Sequence, residues 1–318
     1  MAIHRASIRI ASRVPALTVC GRRPRMNREN LVLALDVVTV PYDSGRRGFR
    51  MGAGPQALLR EGLVQELRAA GRDVELVPVE STATANDELS VAFDLAARVA
   101  RVTRASRSAH RFPLTLSGSC FTTVGAFAGC GDDAAGVLWF DAHGDLNTPE
   151  TSPGGFLDGM AAAALLGWCH TDRSRDTLTA SLNESKLMLA GTRDLDEQEG
   201  VALQRSAVTS LSPADVRDHV RLAAALDAFA APLSAIYLHV DLDVLDPAAV
   251  GRANSFAAPD GMTLSEVIDT VRAAGARSPI AGMTISAYDP AEDTTGAVRR
   301  AAIEIIAAAL ATAESVSG

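Results

Sequence analysis

The sequence contains few cysteines, and their spacing matches no common cysteine-based site. The four are Cys20, Cys120, Cys130 and Cys169, which lie far apart without the paired spacing of zinc or redox sites. Because nothing here indicates a disulfide scaffold, we expect the chain to reside in the reducing cytoplasm. No apolar run reaches the roughly 18 residues that a bilayer span needs, so the sequence predicts a soluble protein.

Positive charge is also scarce relative to negative charge. The 318 residues include 30 Lys and Arg against 38 Asp and Glu, a formal net charge of -8, and Lys186 is the sole lysine. This balance argues against nucleic acid or an anionic membrane as the partner and favours a small molecule. With 47% hydrophobic and 21% charged residues, the chain is able to bury a large core.

The first residues differ from the rest in composition. Residues 1–28 are rich in arginine and contain no acidic residue, a bias typical of organellar transit peptides. Pro15 and Pro24 would interrupt an amphipathic helix there, and Met26 directly precedes the first convincing strand. We therefore expect residues 1–28 to be an unstructured extension, with targeting as the alternative, and residues 29–318 to form a single catalytic domain.

From residue 31 onward, apolar strand patterns alternate with helical patterns. One helix is predicted through Leu58, Leu59, Leu63 and Leu67, and a longer one over 89–109. The predicted strands are 31–40, 74–79, 113–116, 136–140, 187–190, 235–240 and 280–286. Continuous apolar strands between helices predict an α/β fold with a parallel sheet covered on both faces. Ligands of such sheets bind beyond the carboxyl ends of the strands.

Two of these strands lead into acidic segments. Asp141-Ala142-His143-Gly144-Asp145 follows one, and Asp241-Leu242-Asp243 follows another. Alternate residues of a strand project to the same side, so Asp141, His143 and Asp145 should converge, as should Asp241 and Asp243. Carboxylates around one imidazole favour a fairly hard ion such as manganese, and a bridging carboxylate holds two such ions close together. The two segments together predict a site for two divalent cations.

Both segments resemble the metal-binding motifs of the ureohydrolases, the family of arginase, agmatinase and formimidoylglutamase. The resemblance runs from about Leu31 to the C-terminal helix and implies a three-layer α/β/α fold, with a central parallel sheet and two Mn²⁺ per chain. It further implies that Asp141 and Asp241 bridge both ions, that Asp145 serves the first ion, and that His143 and Asp243 serve the second. A homo-oligomer, trimer or hexamer, is also implied.

The chain departs from the family pattern at one ligand. The family commonly has Gly-Gly-Asp-His-Ser where this chain reads Ser117-Gly118-Ser119-Cys120-Phe121, so Cys120 replaces the histidine that binds the first ion. Cys120 is either a thiolate ligand, with altered and pH-dependent metal affinity, or a buried cysteine beside an incomplete first site. With a cysteine at this position, the chain resembles a smaller branch of the family, the N-hydroxyarginine hydrolases, which release hydroxyurea and ornithine.

Other positions bear on substrate and proton transfer. By resemblance, Asn147, Asp196 and Glu199 recognise the amino-acid end of the substrate, although each is also a residue type that forms turns and helix caps. Asp158 follows Phe156-Leu157 where the family has a catalytic histidine in Asn-Leu-His-Gly. It is either a proton carrier or a cap for the alanine-rich helix that follows.

A further loss concerns the guanidinium group of the substrate. The family's guanidinium-binding glutamate aligns with Ala287, which removes a charge-assisted pair. Asp289 or Asp293 either replaces that glutamate or only forms the turn at Pro290. His239, two residues before Asp241, is either a supporting residue of the metal site or a core histidine.

These observations predict a metal-dependent hydrolase that cleaves a carbon–nitrogen bond of a small-molecule guanidino or amidine compound. The products would be urea or a substituted urea and an amine, with Asp145 or Asp158 carrying the proton to the leaving nitrogen. An N-hydroxyarginine hydrolase of a specialised pathway is one alternative. A degenerate binding protein on the same fold is the other.

Overall fold

An eight-stranded, all-parallel sheet organises the chain in the computed structural model, which describes residues 33–85, 87–131, 133–175, 177–178 and 180–316. The extension predicted for residues 1–28 lies outside the described residues. The strand order is β4-β1-β5-β10-β9-β6-β7-β8. These strands are β1 Ala34–Val40, β4 Asp73–Pro78, β5 Phe112–Ser117, β6 Gly136–Phe140, β7 Leu187–Ala190, β8 Thr209–Leu211, β9 Ile236–Asp241 and β10 Ile280–Ser286, and a small hairpin pairs β2 Tyr42–Asp43 with β3 Arg46–Arg47.

Helices connect the strands. Those before β7 are α1 Gly54–Arg60, α2 Leu63–Ala69, α3 Glu88–Ser108, α4 Thr122–Cys130, α5 Ala161–Leu166 and α6 Thr171–Ser174. Those after β7 are α7 Glu197–Arg205, α8 Pro213–Arg217, α9 His219–Ala230, α10 Pro247–Val250, α11 Leu264–Gly275 and α12 Ala297–Val316. Among the described residues, no helix is both long and apolar enough to cross a membrane.

Two hydrophobic clusters lie on opposite faces of the sheet. Leu35 and Val37 of β1 pack into a cluster with residues of α1, α2, α9, α11 and α12. Val38 and Val40 of the same strand pack into the other, with residues of α3, α4 and α5. Burial on both faces explains why the strands are apolar throughout. The predicted three-layer α/β/α fold with a central parallel sheet is confirmed.

Some boundaries differ from the sequence prediction. The helix predicted through Leu58 and Leu67 is two helices, because Gly62 adopts a left-handed φ of 98° that ends α1 and starts α2. The long helix predicted over 89–109 is α3, capped by the Asp87 side chain, which accepts from the Ser90 N–H. β8 was not predicted, since its three residues are too few to show a periodic pattern.

The four central strands position the residues of the acidic segments. β5, β10, β9 and β6 are neighbours, and all run in the same direction. Their carboxyl ends therefore bring Cys120, Ser286, Asp241 and Asp141 to the same edge, although these residues are far apart in the chain.

Candidate metal centre and substrate cavity

Asp141 is the centre of the acidic cluster. Its carboxylate is almost fully buried. Oδ1 accepts from the His143 N–H at 2.8 Å and lies 3.2 Å from His143 Nδ1, whereas Oδ2 accepts from the Trp139 indole N–H at 3.1 Å. The two oxygens of Asp141 are thus directed to two different sets of neighbours.

The segment that follows Asp141 is a folded loop, so the strand alternation predicted for it is wrong. β6 ends at Phe140, and Asp145 has a left-handed φ of 51°. The Ala142 N–H donates to Asp243 Oδ1 at 3.2 Å, and the Leu146 N–H donates to Glu199 Oε1 at 2.9 Å. These hydrogen bonds, and not an extended backbone, turn His143 and Asp145 towards the same site.

Asp141, His143 and Asp243 form one group of potential ligands, with their donor atoms within 4.8 Å of one another. Asp243 lies in a 3₁₀ turn just after β9, and its Oδ2 is 3.5 Å from His143 Nδ1. The Asn254 side-chain amide donates to the same Oδ2 at 3.2 Å. These residues include the His143 and Asp243 that the family resemblance assigns to the second ion.

Cys120, Asp141 and His239 form another such group, again with donor atoms within 4.8 Å of one another, and all three residues are buried. The Cys120 thiol donates to Asp241 Oδ2 at 3.0 Å and is 3.3 Å from Ser286 Oγ. Asp141 belongs to both groups, as a bridging carboxylate would.

His239 lies on β9 and packs against Trp139 of the neighbouring strand. The two rings are stacked with centroids 3.6 Å apart, and His239 Nδ1 is 2.7 Å from Thr123 Oγ1. Burial lowers the pKa of His239 to about 3, so the imidazole is neutral at physiological pH. The sequence left open whether this histidine supports the site or merely fills the core; the structure places it beside Cys120 and Asp141.

The buried carboxylates of the site carry more negative charge than the neighbouring side chains neutralise. Burial, together with neighbouring carboxylates, raises the pKa of Asp145 and of Asp241 well above the usual range and also raises the pKa of Asp243. Asp145 Oδ2 is buried without a hydrogen-bond partner among the described residues. Crowded, unpartnered carboxylate oxygens of this kind fit divalent cations, which replace the protons that otherwise neutralise them.

His143 provides part of that compensation. Burial acts to lower its pKa, but the hydrogen bond to Asp141 and the charge of Asp243 prevail and raise it to about 10. The same contacts lower the pKa of Asp141 despite burial. Because a metal ligand must be a neutral imidazole, a cation would displace this proton.

A cavity of about 270 Å³ opens above the cluster. The acidic and polar residues that line it include Cys120, His143, Asp145, Asn147, Asp158, Asp196, Glu199, Asp241, Asp243 and Asn254. The apolar residues that line it include Met51, Phe156, Phe256 and Ala287. The Phe156 and Phe256 rings stack with centroids 5.3 Å apart. A cavity of this size accommodates a small molecule with one cationic or polar end.

Asp158 lies on the cavity wall and does not cap a helix. It accepts a short hydrogen bond from Ser119 Oγ and another, at 3.5 Å, from the Phe121 N–H, and its Oδ2 has no partner among the described residues. Asp158 is itself the first residue of a 3₁₀ turn, and the alanine-rich helix α5 that follows has no side-chain cap. Burial raises the pKa of Asp158 to about 7.

The three residues assigned to substrate recognition are linked to one another. Asp196 and Glu199 form the capping box of α7, and the Asn147 amide donates to Asp196 Oδ2 at 2.9 Å. All three line the cavity. They therefore serve as cap and turn residues while presenting polar atoms to the cavity.

Asp289 and Asp293 do not line the cavity. The Asp289 carboxylate accepts from the Ala291 N–H in the turn, and Asp293 accepts from the Tyr288 hydroxyl at 3.0 Å. Ala287 does line it, with a left-handed φ of 58°. The guanidinium partner proposed at Asp289 is thus not on this wall.

Sequence reasoning missed several residues that shape the site. Trp139, Asn254 and Ser119 donate to Asp141, Asp243 and Asp158 respectively. Arg193 holds the surrounding loops by donating to the carbonyls of Gly191, Asp243, Val244, Ala258 and Pro259. Only Trp139 had a sequence signal, its position two residues before Asp141.

Comparisons with known proteins identify the family and the fold of this chain. The profile of the arginase family matches residues 34–312. The arginase of Brevibacillus brevis is 33% identical over 230 residues, which cover 67% of this chain and 76% of that protein. The crystal structure of arginase from Bacillus subtilis gives a TM-score of 0.79 at 24% identity, over 87% of this chain and 98% of that one. For the structure of formimidoylglutamase from the same organism, the TM-score is 0.71 at 18% identity, over 89% of this chain and 88% of that one. The family match and the 33% identity show that this chain belongs to the arginase family and is a metal-dependent ureohydrolase acting on carbon–nitrogen bonds of linear amidines.

Proposed function

We propose that this protein uses two Mn²⁺ per chain to hydrolyse a small guanidino compound, giving urea or a substituted urea and an amine. One observation carries the proposal: a cavity of substrate size lies over two groups of potential ligands that share Asp141 and are buried except for the half-buried His143. Asp141, His143, Asp241 and Asp243 are the residues that would hold one ion. Asp141, Asp145, Asp241 and Cys120 would hold the other.

Bound divalent ions supply an activated water and charge stabilisation, which the unreactive amidine carbon requires. The chain's own contribution begins with exclusion of water and orientation of the substrate. The stacked Phe156 and Phe256 rings form an apolar side of the cavity, opposite in character to the carboxylates of Asp145 and Asp241. A planar guanidino group would therefore be held against the acidic wall with its carbon at the metal ligands.

Asp158 is suited to deliver the proton to the leaving nitrogen. Its pKa of about 7 allows it to hold and release a proton near neutral pH, Asp158 lines the cavity, and its Oδ2 has no hydrogen-bond partner among the described residues. Ser119 fixes the other carboxyl oxygen by hydrogen bonding. Asp145 is the second candidate for this role.

Asp158→Asn is expected to lower kcat about 100-fold or more, the size of effect that general acid catalysis provides. Metal content should stay the same, because Asp158 belongs to neither ligand group. Steady-state kinetics and metal analysis of the same preparation measure both quantities. Unchanged kcat would exclude Asp158 as the proton carrier, and Asp145 would take its place.

The substrate's far end would contact Asn147, Asp196 and Glu199, whose oxygens suit an amino group. Ala287 favours one substrate class in particular. An N-hydroxyguanidine is less basic than a guanidine, so it depends less on a carboxylate partner, which Ala287 does not provide. N-hydroxyarginine is therefore the second candidate substrate.

The proposal is tested by measuring turnover on a panel of guanidino compounds with the manganese-loaded chain, alongside metals per chain. The guanidino members are arginine, agmatine and N-hydroxyarginine, and formimidoylglutamate is included as an amidine without a guanidino group; the products urea, hydroxyurea and formamide are distinguished by mass. Turnover of one guanidino member with two ions per chain supports the proposal, and turnover of formimidoylglutamate alone would contradict the guanidino substrate. Two bound ions without any turnover would overturn it in favour of a binding protein on the same fold.

We also propose a cellular compartment and an oligomeric state for this protein. Cys120, Cys130 and Cys169 are free cysteines, which supports a reducing compartment such as the cytoplasm. A homo-oligomer, trimer or hexamer, is expected from the family and is tested by sedimentation of the purified chain.

A further inference from the structure

We propose that His239 is a metal ligand, and that together with Cys120 it replaces the imidazole that position 120 lacks. The first metal site would then have a sulfur donor from the segment after β5 and a nitrogen donor from β9, in addition to carboxylates. This inference rests on the dinuclear metal site of the proposed function. It assigns a ligand that lies outside the Asp-rich motifs.

The first support is the distance between the donor atoms. Cys120 Sγ, a carboxylate oxygen of Asp141 and a ring nitrogen of His239 lie within 4.8 Å of one another. Metal–donor bonds of about 2.0–2.3 Å place two ligands of the same ion at most about 4.4 Å apart, so only small shifts are needed. All three side chains are buried, with His239 fully so and Cys120 and Asp141 nearly so.

The second support is the orientation of the imidazole. His239 Nδ1 is held 2.7 Å from Thr123 Oγ1, and the ring is fixed by stacking on Trp139. This leaves Nε2 as the nitrogen available to a cation. The contact of Nε2 with Ser286 Oγ is long, at 3.4 Å. Ser286 Oγ also lies 3.3 Å from Cys120 Sγ. Metal-binding histidines typically have their other nitrogen hydrogen-bonded in this way.

The third support is the unpartnered oxygen beside this group. Asp145 Oδ2 is buried with no partner among the described residues, and Asp145 lines the same cavity as Cys120. Trp139, which orients His239, also donates to Asp141 Oδ2. The same indole therefore positions two of the proposed ligands.

The donor set determines which metal the site takes. A thiolate and an imidazole favour borderline ions such as zinc or cobalt, whereas the group of Asp141, His143 and Asp243 has only nitrogen and oxygen donors. We therefore expect zinc to compete with manganese more effectively at the Cys120 and His239 site than at the other.

Cobalt titration of the metal-free full chain tests the assignment, because a thiolate ligand gives a near-ultraviolet charge-transfer band. The wild type should bind two Co²⁺ and show this band. His239→Asn keeps an amide near the Nδ1 position, and thus the Thr123 contact, but removes Nε2. This variant should lower the affinity for one of the two ions at least about tenfold and should alter the band. Cys120→Ser should abolish the band. The matched variant His143→Asn should lower the affinity for the other ion and leave the band intact.

A double variant separates ligation from mere packing. If His239 serves as a ligand, Cys120→His should restore tight binding of the first ion in the His239→Asn background. Two ions bound by His239→Asn with wild-type affinity and an unchanged band would overturn the inference. Should that variant fail to fold, zinc-edge X-ray absorption of the wild type with one Zn²⁺ per chain decides: sulfur and imidazole around the same ion support it, and sulfur without imidazole overturns it. Failure of the proposed function is different, since it would appear as absent turnover with both ions bound.

Discussion

Asp141→Ala is expected to remove bound metal and activity together. Asp141 is the residue that both ligand groups have in common, with one oxygen directed to His143 and the other to Trp139. Its loss leaves neither group complete. Because metal ions contribute several kcal/mol of transition-state stabilisation, and about 1.4 kcal/mol corresponds to a factor of ten, we expect kcat to fall about 1000-fold or more.

Metal analysis and kinetics on the same protein measure this result. Asp269→Ala is a matched control, because that aspartate is 71% exposed and lies on the surface of α11. It should keep both ions and full activity. Near-normal turnover or two retained ions in Asp141→Ala would contradict the shared role of this carboxylate. Asp241→Ala, by the family's assignment, should behave in the same way.

The metal-free protein is expected to lose stability as the pH rises from about 6.5 towards about 10, the interval between the unfolded and folded pKa values of His143. A carboxyl whose pKa is raised on folding contributes stability that is complete below its unfolded pKa and is lost as the pH rises through its folded pKa. Asp145 and Asp241, with strongly raised pKa values, act in this direction, whereas Asp158 does so only up to its pKa of about 7. His143, raised to about 10, adds to the loss above its unfolded value near 6.5.

The window begins at about 6.5 because His239 acts in the opposite direction below it. The pKa of His239 is lowered to about 3, so the stability it contributes is complete above about 6.5 and falls only at lower pH. Metal loading should reverse the trend, because cations replace the protons and bind more tightly as the pH rises. At 100 times Kd each ion stabilises the fold by about 2.7 kcal/mol.

Thermal melts of the metal-free and metal-loaded protein across this window measure both effects. The melting temperature of the metal-free form should fall with pH, and the increase caused by metal should become larger. A rise in the melting temperature of the metal-free form over the same window would show that the buried carboxylates are not protonated as proposed.

The sequence was sufficient for the family, the sheet and the acidic segments. The apolar run that ends at Phe140 and the Asp-rich residues after it are local patterns, and the arginase family match confirms the family predicted from them. The reason given for the convergence of Asp141, His143 and Asp145 was nevertheless wrong. A loop with a left-handed Asp145 brings them together, and strand alternation does not predict such a backbone.

Contacts between distant segments were not predictable in this way. The stacking of His239 on Trp139 depends on the register of β9 against β6, in which these residues are direct neighbours. The Asn254 hydrogen bond to Asp243 and the five carbonyls around Arg193 likewise depend on how loops fold over the sheet. Sequence spacing contains no such information for a single chain.

The strand order has a consequence for how metal affects the lifetime of the fold. Cys120 and Asp241 are 121 residues apart in the chain, yet their side chains are in contact. A cation held between such positions acts as a removable cross-link that closes a very long loop. The ligands meet only after the central strands have paired, so the cross-link forms late and stabilises the native state without helping it to assemble. Metal would thus slow unfolding far more than it speeds folding. A chelator would remove the metal at the rate at which the carboxyl ends of the central strands open.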